Sequence, residues 1–120
     1  MGDLSAHFSR SEFDCHDGGK ANPSMKLVGC LENLRTIIGN RPITIVSGYR
    51  TASWNRRVGG AAHSRHLTNE AADIPSSLHV SVDQARRAGF TGIGYNRHRD
   101  VVHVDVRPGN TVVFVDDASY

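Results

Sequence analysis

The sequence predicts an α+β domain, a small and mostly antiparallel sheet with N-terminal helices packed on it. Three observations lead there. Apolar residues recur at helical spacing in the N-terminal third. Short β-branched runs fill the C-terminal half. The length, 120 residues, is that of a single domain spanning 1–120. A chain of this size buries roughly two thirds of the surface that its unfolded form exposes, enough for one modest core.

The elements follow in order. Ser9-Arg-Ser-Glu12 fits a capping box, so a short helix begins there beside Phe8 and Phe13. "DCHDGGK" reads as a turn. Asn22 can cap the next helix, with Pro23 at the first-turn position where the missing N–H costs nothing. Leu27, Val28, Leu31, Leu34 and Ile38 then recur at helical spacing until Gly39 stops the run. "PITIVS" is short and β-branched, which predicts a strand. The long stretch "GYRTASWNRRVGGAAHSRHLTN" is rich in Gly, Ser and Asn, and a connection of that length in a small domain is usually functional; a short helix is expected around Ser53 to Val58. "EAADI" predicts a strand, Ser81 caps a helix "VDQARRAG" that ends at Gly89, and "TGIGYN", "VVHVDVR" and "TVVFVD" predict three more strands.

Composition narrows the function classes. Hydrophobic residues make up 38% and charged residues 22%, as in soluble globular chains. No apolar run approaches the roughly 20 residues that a bilayer requires, so no membrane partner is expected. The start "MGDLSAHFSRSEF" lacks a basic segment followed by an apolar one, so it does not read as a secretory signal and synthesis in a cytoplasm is expected. The formal charge is +2, and the 14 basic residues form no run of four, so no nucleic-acid partner is expected. The densest basic stretch, "RTASWNRR", reads as a solvated loop. Two cysteines, Cys15 and Cys30, cannot make a four-thiolate zinc site, and Cys30 reads as a small buried group on a helix. Seven histidines point toward metal or acid–base chemistry.

In "VVHVDVR" side chains alternate across the sheet. Val102, Val104 and Val106 fall on one face and can pack on the core; Val101, His103, Asp105 and Arg107 fall on the other. His98 and Asp100 precede that strand, and a second polar cluster runs from His66 to Asp73. If adjacent strands carry the two clusters, they converge on one point. A catalytic zinc site uses three protein ligands and keeps a fourth position open. His66, Asp73 and His103 can supply the three, Asp100 a base and Arg50, at the end of "IVSGYR", a cation. Other metals that use histidine and carboxylate remain open on this pattern alone.

The run "SGYRTASWNRRVGGAAHSRHLTNEAADI", followed by "GIGYNRHRDVVHVDVR", resembles the zinc D-alanyl-D-alanine carboxypeptidases and their relatives, the D-Ala-D-Ala dipeptidases and the phage endolysins that cut wall peptides. The shared pattern is S-G-Y/F-R, then N-x-x-x-G-G, then S-x-H-x-x-x-x-x-x-D, then a histidine within H-x-D. "HFSRSEFDC" is similar to the opening of small phage-type members, so the resemblance covers nearly the whole chain. It implies a hedgehog/D-Ala-D-Ala-peptidase-like fold, with Zn2+ held by His66, Asp73 and His103. It also implies Asp100 as the base that activates water, Arg50 as the residue that binds substrate and steadies negative charge, His98 as a further oxyanion donor, and Ser64 beside the substrate carboxylate. Asn69 stands where relatives usually have glycine, and asparagine tolerates the left-handed backbone such a turn needs. Many relatives carry glutamate as the base, one methylene longer than Asp100. Asp105 is the alternative base, or a partner that orients a ligand histidine.

The reading is a monomeric zinc peptidase acting on a peptidoglycan stem peptide at a bond involving a D-amino acid. Carboxypeptidase and endopeptidase versions share this machinery. A phage lysis or tail-associated role follows from the resemblance and the small size. The rivals are a non-catalytic zinc-containing wall-binding module of the same fold and a small nucleic-acid-binding domain using Trp54, Arg56 and Arg57.

Overall fold

The computed structural model describes residues 2–96 and 99–116. Glu12 accepts a hydrogen bond from the Ser9 N–H (2.6 Å), and one 3-10 turn, Arg10–Phe13, follows as the capping box implies. Helix α1 spans Met25–Ile37, α2 Ala52–Arg57 and α3 Val82–Ala88. Strands β1 (Ala71–Pro75), β2 (Gly92–Asn96), β3 (Val101–Asp105) and β4 (Val112–Asp116) form one sheet in the order β1-β3-β2-β4. β1 and β2 flank β3 antiparallel, while β4 runs parallel to β2, so the sheet is mixed.

Two expected boundaries move. The cap of α1 is Ser24, whose Oγ accepts from the Leu27 N–H, rather than Asn22; the Asn22 and Ser24 N–H groups are instead drawn to Asn69 Oδ1 and Asn69 O, both at 2.9 Å. "PITIVS" does not become a full strand. Ile43 and Ile45 point into the core as an extended segment would place them, but the ladder consists of two bonds, Val46 N–H to Asp73 O and Asp73 N–H to Ser47 O, each 2.8 Å. The segment touches β1 only around Asp73.

The core lies between α1, α3 and one face of the sheet. Leu27, Val28, Leu31 and Leu34 from α1 meet Ala72 and Ile74 of β1, Ile93 of β2, and Val102 and Val104 of β3. Each fully buried leucine contributes about 1.5–3 kcal/mol by leaving water. Cys15 and Cys30 are both buried free thiols. Among the described residues, no helix is long and apolar enough to cross a membrane. Because the aliphatic face is committed to the helices, alternation sends Asp73, His103 and Asp105 to the opposite face.

Candidate metal centre

Register brings the first two groups together, since Asp73 on β1 is directly opposite His103 on β3. The third arrives from a 3-10 turn, Arg65–Thr68, whose cap Ser64 accepts from the His66 N–H at 3.2 Å. Asn69 ends that turn at φ 62° and ψ 26°, the left-handed conformation foreseen for it, and returns the chain to β1. A carbonyl can only accept, so the 2.5 Å contact between His66 Nδ1 and the Gly48 carbonyl puts a proton on Nδ1 and turns Nε2 toward the cluster. His66 Nε2 is 3.1 Å from Asp73 Oδ1 and 3.1 Å from His103 Nδ1; His103 Nδ1 is 3.2 Å from Asp73 Oδ1. The three atoms form a nearly equilateral triangle. The other His103 nitrogen, Nε2, donates to Asp105 Oδ2 at 2.7 Å.

All four side chains are buried, and their charges are set by one another. Burial alone would raise the Asp73 carboxyl, but the adjoining imidazoles of His66 and His103 outweigh it and hold it well below the usual carboxylate range. Burial likewise opposes ionisation of Asp105, and hydrogen bonds from Arg107 and His103 pull it below that range. Burial pushes the His66 imidazole down despite Asp73. It also disfavours the His103 cation, yet the hydrogen bonds to Asp105 and Asp73 win and lift that pKa to about 9. Without a metal, the cluster therefore holds a proton on His103 at neutral pH.

Arg50 is buried against the same group. Its Nη2 is 3.3 Å from Asp73 Oδ2, and its Nη1 donates to Asn55 Oδ1 at 3.2 Å. Asn55 in turn donates from Nδ2 to the Ala61 carbonyl at 2.9 Å, tying the loop to the arginine. A Cβ at Gly60 would strike both Asn55 Oδ1 and Arg50 Nη1, which gives the N-x-x-x-G-G pattern a physical reason.

A cavity of about 350 Å³ opens beside the triangle, small but within the range of ligand sites. His66, His103, Arg50 and Ser64 line it. Asp100 does not. It sits on the turn into β3, with its carbonyl accepting from the Ser76 N–H (2.9 Å) and its side chain exposed. His98 lies outside the described residues. Arg107, which strand alternation put on the face of His103, lines the cavity too, and two further lining residues carry no signal in local sequence: Phe114 and Asp116 of β4. The Phe114 ring packs edge-on against His103 with centroids 5.3 Å apart. One signal was available for the face as a whole: in "GIG" both glycines face the site. A Cβ at Gly92 would collide with the Asp105 carboxylate, and one at Gly94 would lie 2.6 Å from the Phe114 ring.

The family model for peptidase M15 matches residues 6–105. Over 80 residues, 62% of the chain, the sequence is 39% identical to the zinc D-Ala-D-Ala carboxypeptidase of Streptomyces albus G. The match covers 31% of that relative, so the chain spans about a third of its length.

Proposed function

The chain belongs to the peptidase M15 family, and we propose that it is a zinc-dependent peptidase that hydrolyses a bond involving a D-amino acid in bacterial peptidoglycan stem peptides. The observation that carries this reading is the triangle of His66, Asp73 and His103 beside an open cavity. Its fit to zinc can be tested on size. A tetrahedral ion about 2.0–2.1 Å from each donor needs donors about 3.3 Å apart. The observed edges are 3.1, 3.1 and 3.2 Å. Two imidazole nitrogens and one carboxylate oxygen also match the donor chemistry, with the fourth side left for substrate.

Zinc supplies Lewis acidity there, easing deprotonation of water near neutral pH and polarising the scissile carbonyl. The protein's own groups do the rest. Asp100 takes the proton of the attacking water and hands it to the leaving amine. Arg50 presents positive charge to the oxygen on which negative charge grows, with His98 as a second donor. Ser64 faces the cavity and meets the substrate carboxylate. A second reading of the base has its own support: Asp116 is the carboxylate that lines the cavity among the described residues. Asp100→Asn and Asp116→Asn separate the two, since the true base variant retains zinc but loses turnover.

Carboxypeptidase and endolysin-type endopeptidase actions both fit this arrangement, as does a wall-directed setting in phage lysis. Mass spectrometry of muropeptides incubated with the zinc-loaded protein, with and without a chelator, decides. Release of D-Ala identifies a carboxypeptidase, and cleavage between L-Ala and D-Glu an endopeptidase. A complete lack of chelator-sensitive products would refute the enzyme and favour a wall-binding module.

A further inference from the structure

We propose that Arg107 is a specificity-determining residue that selects substrates carrying a carboxylate beside the scissile amide, an inference that rests on the peptidase reading above. Arg107 follows β3, four residues beyond His103, and lines the same cavity. Its position is fixed on two sides. Along one edge, Nε donates to Asp105 Oδ1 at 2.9 Å and Nη2 donates to Asp105 Oδ2 at 2.5 Å. Over one face, the guanidinium carbon sits 4.9 Å from the centroid of the Phe114 ring. An arginine held by a carboxylate and an aromatic ring loses little further freedom on binding a ligand, because its fork is already oriented.

Arg107 Nη1, with two N–H donors, has no hydrogen-bond partner among the described residues. The side chain keeps 26% of its surface exposed, whereas Arg50 in the same cavity is 1% exposed and turned onto Asp73 and Asn55. Arg65, also at the cavity, is 3.6 Å from Glu70. Arg65 is itself 34% exposed, so of the two accessible lining arginines Arg107 is the one whose free donors are pre-oriented, by a carboxylate along one edge and an aromatic ring over one face. The Asp105 carboxylate that holds it also accepts from His103, which fixes the distance between the recognition group and the reaction centre. A planar anion fits such donors better than a neutral amide does.

Two sources of that carboxylate exist in a stem peptide: the chain terminus and the free carboxylate of a D-isoglutamate. Calorimetric titration of the zinc-loaded protein tests both. The probes are dipeptide analogues whose scissile amide is replaced by a reduced CH2–NH link, so binding is read without turnover. One pair is D-Ala-D-Ala ending in carboxylate or carboxamide; the other is L-Ala-D-isoglutamate against L-Ala-D-isoglutamine, both with the γ-carboxyl capped as a methylamide. The wild type is expected to prefer the acid of one pair by about 10- to 100-fold, the scale of one charge-assisted hydrogen bond, and that pair names the source. Arg107→Gln should erase the preference while leaving amide binding within about threefold. Arg107→Lys should keep part of it, and decides the matter if circular dichroism shows that the glutamine variant is unfolded. Equal affinity for acid and amide in both pairs, no binding of either, or an equal loss for both forms in the variants overturns the proposal; the last result would reduce Arg107 to a support for Asp105. Preference without cleavage of the parent amides would sink the peptidase reading and leave Arg107 assigned.

Discussion

Replacing Asp105 by asparagine tests how the site holds its metal, because one substitution acts on two opposing quantities. Asp105 is fully buried and accepts from His103 Nε2 at 2.7 Å. Asparagine can still accept one hydrogen bond, but it removes the anion that orients His103 and makes it basic. Losing such a partner typically lowers metal affinity about 10- to 100-fold, or about 1.4–2.7 kcal/mol. The same anion also helps a competitor. Burial disfavours the His103 cation, and Asp105 heads the hydrogen bonds that overcome burial and lift its pKa to about 9. At pH 7 a proton with that pKa weakens metal binding roughly 100-fold, and the asparagine variant relieves part of this. The two effects nearly cancel at pH 7 and separate above pH 9, where His103 is deprotonated in both proteins. Competition against a chromophoric chelator should therefore show a loss of about 10- to 100-fold at pH 9.5 and a much smaller one at pH 7. Equal affinities at pH 9.5 would refute the role given to Asp105. Stability should also fall by about 1–3 kcal/mol, less than for a fully buried pair, because Arg107 is partly solvated.

The metal-free protein should lose stability between about pH 6.5 and pH 9: the His103 pKa is raised from 6.5 to about 9, so its contribution is complete below 6.5 and gone once pH passes the folded value. The lowered Asp73 and Asp105 values act in the opposite sense, with stability present above the ordinary carboxylate range and lost in acid. Urea titrations across pH check both limbs, and calorimetry in two buffers should detect about one proton released per zinc at pH 7. Asn69→Ala should cost about 1–2 kcal/mol in urea unfolding, since alanine is strained at φ 62° and the Asn22 bond is lost, whereas Asn69→Gly should cost less. Gly92→Ala should displace the Asp105 carboxylate and lower stability by about 1–3 kcal/mol, with a fall in zinc affinity at pH 9.5; unchanged affinity would show that the sheet accommodates the methyl.

The parts of the fold legible in the sequence are those set by local chemistry. Ser81 caps α3 and Gly89 ends it at φ 112°, because a hydroxyl acceptor and a residue free at positive φ act within one turn. The valine alternation in β3 sorted both faces correctly, sending Val102, Val104 and Val106 to the core and His103 and Asp105 to the site. The convergence of His66, Asp73 and His103 was legible from the residues as one option and became specific only through the motif, since no local rule pairs Asp73 with His103 across two strands. What escaped depends on non-local register. Phe114 and Asp116 reach the cavity because β4 lies parallel to β2, with Gly94 opposite Phe114, and nothing within "TVVFVD" encodes that partner. The extended segment at 43–46 escaped for a related reason: its pattern suits a strand, but only Ser47 and Val46 find bonding partners on β1.

Burying this many charged groups on one face is costly unless each is paired, and the pairing sets the electrostatics of the cavity. Arg50 faces Asp73, and Arg107 faces Asp105. These four charges sum to zero, so with neutral imidazoles the cluster has no formal charge. A proton on His103 makes it +1, and a dication in place of that proton makes it +2. The arginines thus remove the compensation that two carboxylates would otherwise give the metal. Such a site gives up some metal affinity and gains electrophilicity, because an oxygen gaining negative charge meets a field in which the Asp73 and Asp105 carboxylates are already balanced by the arginines. The glycines at 92 and 94 complete the arrangement: by leaving room for Asp105 and the Phe114 ring, they let the carboxylate sit behind His103, away from the open side, where its charge orients the imidazole.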